Sequence, residues 1–297
     1  MSKDIRKQGK FGAAAAVLVC LPVLFCILLL SPASSDAPKI AALPGLSHKD
    51  AMKEENLQKI GKYQILVIDA WEYSAEEISA LKKQGCKVYT YLNVGSLENF
   101  RPYYDEYKNL CLLPYEGWPD ESWVDVTDAS WQGHCVSLAG DYLAKGIDGF
   151  FLDNVDVCME LEENRGFEKG PAESGIEAIL TGIRGLKKES IPVILNGGTD
   201  FLDYEFSSGK RPACDGICLE SVYTEVTDYE KNGSKAVGDA EVREKTKKLQ
   251  SYQDQGLSVW DIEYTKNGLL AASIRRKAAR NGWSLYISSS YALDRPE

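Results

Sequence analysis

Carboxylates and carboxamides recur at one kind of place in this chain, the C-terminal end of a short apolar run. Gly149-Phe150-Phe151-Leu152 has no polar side-chain atom and stops on Asp153-Asn154-Val155-Asp156. Comparable runs stop on Asp69, Asn93, Asp125, Asn196, Glu220 and Asp261. A lone Asp in such a position is well explained as a cap for the next element. Its repetition at strand end after strand end points instead to side chains gathered at one mouth.

Opposed carboxylates can cleave a glycosidic bond. One protonates the leaving oxygen while the other attacks the sugar or activates water, and neighbouring acids in a partly dry cleft separate the two pKa values. Trp71, Tyr73, Tyr91, Tyr223 and Trp260 lie near these ends and together offer flat faces for sugar rings, although for any single one core packing is the first explanation. No histidine stands at a strand end, since only His48 and His134 exist, which disfavours a Ser-His-Asp triad or a His-rich metal centre. An oxygen-ligated cation on Asp69, Asp153 and Asp261 is a competing arrangement, without a DxDxDG loop to support it. No metal site and no cofactor are expected.

Parallel strands would bring these residues together. Ile65–Ile68, Lys87–Leu92, 123–126, Gly149–Leu152, Pro192–Leu195, Gly216–Leu219, Leu257–Trp260 and Ser284–Ile287 read as eight strands with helical or long loop segments between them. Ser74 and Glu77 mark a capped helix start, and Gly85, Gly256 and Gly282 mark helix ends. Such alternation predicts right-handed parallel crossovers and an α/β fold, a (β/α)8 TIM-type barrel over residues 63–297. A doubly wound open sheet is the alternative, but Asp69-Ala70-Trp71-Glu72 is no glycine-rich phosphate turn. Residues 99–122 form a long aromatic segment without clear period, and residues 36–62 read as a linker with one weak helix.

Basic residues Lys3, Arg6, Lys7 and Lys10 precede an unbroken apolar run, Phe11–Leu30. Residues 1–35 therefore read as a signal peptide or a membrane anchor helix, with the remainder secreted or held at the outer face of the cytoplasmic membrane. They hold four of the 34 Lys and Arg and one of the 44 Asp and Glu, so the rest carries a charge near −13. That argues against nucleic acid as a partner and suits a neutral or cationic one. Membrane contact is expected only through the N-terminal segment. Six cysteines lie beyond it, read as buried thiols or one or two loop staples.

Several fragments resemble one known family. Tyr89-Thr90-Tyr91-Leu92-Asn93-Val94-Gly95, the Asp153 stretch, Ile194-Leu195-Asn196-Gly197-Gly198, Leu219-Glu220-Ser221-Val222-Tyr223 and Val259-Trp260-Asp261-Ile262-Glu263-Tyr264 are similar to glycoside hydrolase family 114. Its members are endo-α-1,4-polygalactosaminidase-like barrels of exported proteins. The resemblance implies an amino-sugar polysaccharide as substrate, with Asp153 and Glu220 as the catalytic pair. Asp153 would be nucleophile or charge stabiliser and Glu220 acid/base, or the reverse. Asp69, Tyr91, Asn93, Asn154, Asn196, Tyr223, Trp260 and Asp261 are the expected substrate contacts. A carbohydrate-binding barrel without catalysis is the other reading, and coordinates that bring Asp153 and Glu220 to one cleft would favour the enzyme.

Overall fold

The structure, a computed structural model, describes residues 37–297; the expected signal or anchor helix lies outside them. Strand β1 (Ile40–Ala42) is followed by helices α1 (His48–Ala51) and α2 (Glu54–Ile60), then by β2 (Ile65–Ile68), α3 (Ala75–Lys82) and β3 (Lys87–Asn93). Next comes β4 (Ser96–Glu98), α4 (Tyr104–Tyr107), a 3-10 turn (Lys108–Leu110), β5 (Cys111–Pro114), β6 (Glu121–Val124) and α5 (Ala129–Ala144). The chain continues through β7 (Gly149–Asp153), α6 (Val157–Arg165), α7 (Pro171–Arg184), β8 (Val193–Asn196), α8 (Thr199–Ser207) and β9 (Gly216–Glu220). The hairpin β10 (Thr224–Asp228) and β11 (Gly233–Ala236) precedes α9 (Asp239–Asp254), β12 (Ser258–Tyr264), α10 (Gly268–Asn281) and β13 (Ser284–Ser288).

Eight strands pair in the order β1-β2-β3-β7-β8-β9-β12-β13, every pair parallel, and β13 comes back beside β1. The sheet thus rolls into a nearly closed (β/α)8 barrel. Two strands differ from the sequence expectation. The barrel's first strand is Ile40–Ala42, inside the segment read as a linker, because three residues buried on both faces are too short to show a period. The stretch around Trp123 is not a barrel strand. It forms the centre of an antiparallel sheet, β4-β6-β5, inserted between β3 and α5.

Local rules account for the helices. Ser74 and Glu77 close the expected capping box on α3, and Asn267 caps α10, which ends at Gly282 in the left-handed conformation. Helix α7 turns Ile176, Ile179, Leu180 and Ile183 inward at helical spacing. Strand alternation then decides what fills the barrel: Tyr89, Phe151 and Trp260 meet across the lumen, with Trp260 6.0 Å from the Tyr89 ring and 6.3 Å from the Phe151 ring. Gly149 makes room for them, since a Cβ there would sit 2.9 Å from the Tyr89 ring and from the Pro192 carbonyl oxygen. Gly149→Ala should therefore destabilise the protein by about 1–3 kcal/mol, read as a lower urea midpoint at unchanged slope.

Candidate active site

Asp153 ends β7, Asn196 ends β8 and Glu220 ends β9, three adjacent strands whose carboxyl ends share one mouth. The Asn196 amide nitrogen donates to Asp153 Oδ1 at 2.9 Å and to Glu220 Oε1 at 2.9 Å. The two acceptor oxygens therefore lie less than twice 2.9 Å apart. The other oxygen of Glu220, Oε2, accepts a short hydrogen bond from the Tyr264 hydroxyl, which enters from β12.

The loops that carry these groups are held in unusual backbone conformations. Asn154 and Ser221, each directly after a carboxylate of the pair, have φ of 64° and 59°. Asn tolerates this region, whereas Ser does so at some energetic cost. After Asn196 the chain turns through Gly197 and Gly198, both at φ 74°. A Cβ on Gly197 would lie 2.1 Å from Asp156 Oδ2, and the Gly198 amide donates to Asp156 Oδ1 at 2.8 Å. Asp156 thus ties the end of β8 to the loop after β7, which keeps the Asn196 amide between its acceptors.

Burial and the facing Glu220 carboxylate push the Asp153 carboxyl up to about 7, against the opposing pull of the Asn196 and Asn154 N–H donors. The pair therefore holds a proton up to near neutrality. Glu121 adds further negative charge. It comes from β6, and its Oε2 accepts from Ser96 Oγ at 2.6 Å and, at 3.4 Å, from the amides of Asn93 and Asn154. The inserted sheet thereby contributes a third carboxylate beside Asp153. Tyr115 donates to Asn154 Oδ1 at 3.3 Å and stacks on Trp123 at 4.3 Å. On the Glu220 side, Tyr291 packs 4.8 Å from the Tyr264 ring, 4.4 Å from Tyr229 and 6.4 Å from Trp118. Trp118 is 50% exposed and Tyr229 62% exposed, which leaves aromatic surface at the rim.

The ten sequence candidates fall into four groups. Asp153, Glu220 and Asn196 form the centre. Tyr91, Asn93 and Asn154 border it: Tyr91 feels the charge of Asp153, and Asn93 pairs with Asp153 in register while holding Ser96. Asp69 lies near the mouth, but Arg101 Nη1 contacts its Oδ2 at 2.8 Å and also grips Glu98, so Asp69 anchors the chain where it leaves β4.

Tyr223, Trp260 and Asp261 are placed elsewhere. Tyr223 faces α10, with its ring under Lys277 at 4.8 Å and its hydroxyl accepting from Asn281. Trp260 is 2% exposed in the lumen, where it packs as core. Asp261 points out through the barrel wall. The reason is phase: β12 runs to Tyr264, so Trp260, Ile262 and Tyr264 line the lumen while Asp261 and Glu263 alternate outward. A strand read as ending at Trp260 presents Asp261 at the mouth, whereas the full strand brings Tyr264 there. Glu121, Ser96 and Tyr115 were hidden in a segment with no period to read.

Among the described residues no three His, Cys, Asp or Glu side chains are grouped to hold a metal ion. Asp69, Asp153 and Asp261, considered as a cation site, occupy three separate environments. The six described cysteines are all free; burial pushes the thiol of Cys214 up to about 12.

A parallel barrel whose mouth presents a facing Asp and Glu, bridged by an amide, belongs architecturally with the carboxylate-bearing (β/α)8 glycosidase barrels. The model of glycoside-hydrolase family GH114 matches residues 33–295, and the chain belongs to that family. An uncharacterized protein of Methanocaldococcus jannaschii is 26% identical over 205 residues, 66% of this chain and 57% of its own length. An uncharacterized protein of Deinococcus radiodurans is 21% identical over 235 residues, 76% and 72% of the two chains. The chain thus spans little more than half of the first of these relatives. The glycoside hydrolase domain of PelA from Pseudomonas aeruginosa shares the fold at TM-score 0.68 and 19% identity, over 87% of this chain and 97% of that domain. Ega3 of Aspergillus fumigatus, solved in complex with galactosamine, does so at TM-score 0.63 and 18% identity, over 89% and 94%.

The raised Asp153 pKa ties the stability of the fold to pH. A folded-state pKa of about 7 against an ordinary 3.8 means that the native state holds this proton more tightly than the unfolded chain. The stability it contributes is fully present below the unfolded value and is lost as pH rises through about 7. Asp153→Asn removes the titration, so it should raise Tm relative to wild type more at pH 8 than at pH 4, measured by thermal unfolding at both.

Proposed function

We propose that the protein is a glycoside hydrolase that cleaves α-1,4-linked galactosamine or N-acetylgalactosamine polysaccharide with Asp153 and Glu220 as its working pair. The observation that carries this reading is the Asn196 amide, which bridges the two carboxylates across one mouth. The short span between their nearest oxygens is on the scale of retaining glycosidases, whose carboxyl groups stand about 5–5.5 Å apart, and leaves no room for the interposed water of an inverting site. The carboxylates at the mouth suit a sugar that carries an ammonium group, and galactosamine is the ligand solved in Ega3. The basic flank and apolar run before residue 36 support a secreted or outer-face location.

In the assignment that follows the family resemblance, Asp153 attacks the anomeric carbon and Glu220 protonates the departing oxygen. Water, deprotonated by Glu220, then releases the sugar from Asp153, and each proton returns to its starting group. One observation favours the exchanged roles: the Asp153 carboxyl is pushed up to about 7, so in the empty cleft it holds the proton a leaving group needs. Tyr264 and Asn196 both donate to Glu220 and fix its carboxylate on the far side of the mouth from the Asp153 proton. Under either assignment, loss of the pair's proton lowers kcat/KM above about pH 7.

Defined galactosamine and N-acetylgalactosamine oligomers, with products read by mass spectrometry, test the activity. Asp153→Asn and Glu220→Gln should each reduce cleavage by about 10²–10⁴-fold with the fold intact by circular dichroism. Polymer binding without released ends in the wild type would instead identify a non-catalytic binding barrel. Proton NMR of the first-formed reducing ends should show the α configuration retained. Azide added to each variant separates the roles, because the nucleophile's variant yields the inverted glycosyl azide and the acid/base variant the retained one.

The third carboxylate gives a further expectation. Glu121→Gln keeps the hydrogen bonds from Ser96, Asn93 and Asn154 within reach of its carbonyl oxygen while removing a charge. It should raise KM for galactosamine oligomers by about 5–30-fold and leave N-acetylated oligomers nearly unaffected.

A further inference from the structure

Behind the barrel wall, on the side away from the cleft, Asp261 and Glu263 face each other with 0% exposure each. The proposed activity does not use them. No N–H or O–H donor reaches either oxygen of Asp261, and its contact is the carboxyl of Glu263. Two neighbouring carboxyl groups buried together resist ionising at once, so the pair keeps a proton. Burial and the Glu263 charge hold it on Asp261, which donates and leaves Glu263 as acceptor.

Glu263 uses its acceptor capacity on one segment. Its Oε1 accepts from the Tyr223 backbone N–H at 2.6 Å, and its Oε2 takes a short bond from the Thr224 hydroxyl. Thr224 Oγ1 in turn accepts from the Tyr264 N–H at 3.2 Å. Lys245 of α9 donates to the Ser221 carbonyl at 3.0 Å, and the Ser221 N–H donates to the Ile262 carbonyl at 2.8 Å. Every one of these contacts falls on residues 221–224, directly after Glu220. They hold Ser221 in its left-handed conformation at φ 59°.

We propose that Asp261 and Glu263 are positioning residues for Glu220, a buried carboxyl pair that grips the loop leaving the catalytic strand. The inference rests on the assignment of Glu220 made above. Glu263 fixes the loop from behind while Asn196 and Tyr264 fix the Glu220 carboxylate from within, so the side chain is located from both sides of the wall. The grip depends on protonation. As pH rises and Asp261 loses its proton, two charges face each other in a dry space, and the contribution of the pair to stability falls. The surrounding groups limit how far this can be relieved. Lys245, bridged to Glu241 at 2.8 Å on α9, is the cation acting on Asp261. Cys218 on β9 and Tyr223 on the loop carry no positive charge, and Lys277 of α10 lies over the outer Tyr223 ring.

Hydrogen exchange of the peptide covering residues 219–226, referenced to that of β7, reads the grip independently of any substrate, and steady-state kinetics read its effect. Glu263→Gln should speed exchange at Tyr223 and Thr224 and lower kcat by about tenfold or more at mildly acid pH, with KM within about twofold. Asp261→Asn supplies an N–H donor to Glu263 that does not titrate. Its 219–226 peptide should stay protected at alkaline pH, where that of the wild type opens. Wild-type exchange and wild-type kcat in Glu263→Gln, or an Asp261→Asn exchange profile that superimposes on the wild type across pH, would overturn the proposal. If Glu263→Gln does not fold, the Asp261→Asn profile decides alone. A wild type inactive on galactosamine oligomers but showing these exchange changes would retire the substrate reading and leave the grip standing.

Discussion

Like charges do not stay close in a dry place without help, and the centre of this protein is built around that constraint. Asp153 and Glu220 both contact one amide nitrogen, so Coulomb repulsion and burial act against ionising both at once. The surrounding structure supplies what the arrangement needs. Asn196 donates to both, the Asn154 backbone and the Tyr264 hydroxyl each donate to one, and a proton retained up to near neutrality relieves the remainder. Three consecutive parallel strands deliver these groups, which ties the pair to the register of β7, β8 and β9.

The same economy recurs one layer out. Asp261 and Glu263 repeat the motif of opposed carboxyls sharing a proton, on the opposite face of the wall. The period of two in β12 sends Tyr264 to Glu220 and Glu263 to the loop after it, so a single strand supports the same residue from both faces. Asp156 does comparable work for Asn196 through the Gly197-Gly198 turn. Asn196 and Glu220 thus each have a further acid that holds the backbone just after them.

Much of this was readable in the residues alone. The runs ending at Asp153, Asn196 and Glu220 are short, apolar and bounded, so their strand character and their ends were both legible. Ile40–Ala42 was not, because three residues carry no period and pairing with β2 is a non-local fact. Asp261 was misplaced for a different reason. In β12 an apolar lumen face and an acidic outer face alternate, and an acid on a buried outer face looks from sequence like an acid at a strand end. Glu121 lay in a stretch whose sheet exists only through pairing with β4 and β5. Local pattern reveals which groups sit at the ends of the barrel strands, while the insertion that surrounds them is decided by contacts across the chain.

The insertion touches more of the mouth than its length suggests. Residues from Ser96 to Val124 leave and rejoin the barrel between β3 and α5, yet Tyr115 reaches the Asp153 side of the mouth and Trp118 the Glu220 side. A single inserted segment therefore spans both banks of the cleft. Changes confined to this one stretch therefore reshape both sides of the mouth at once while the eight-stranded frame and its two acids stay as they are.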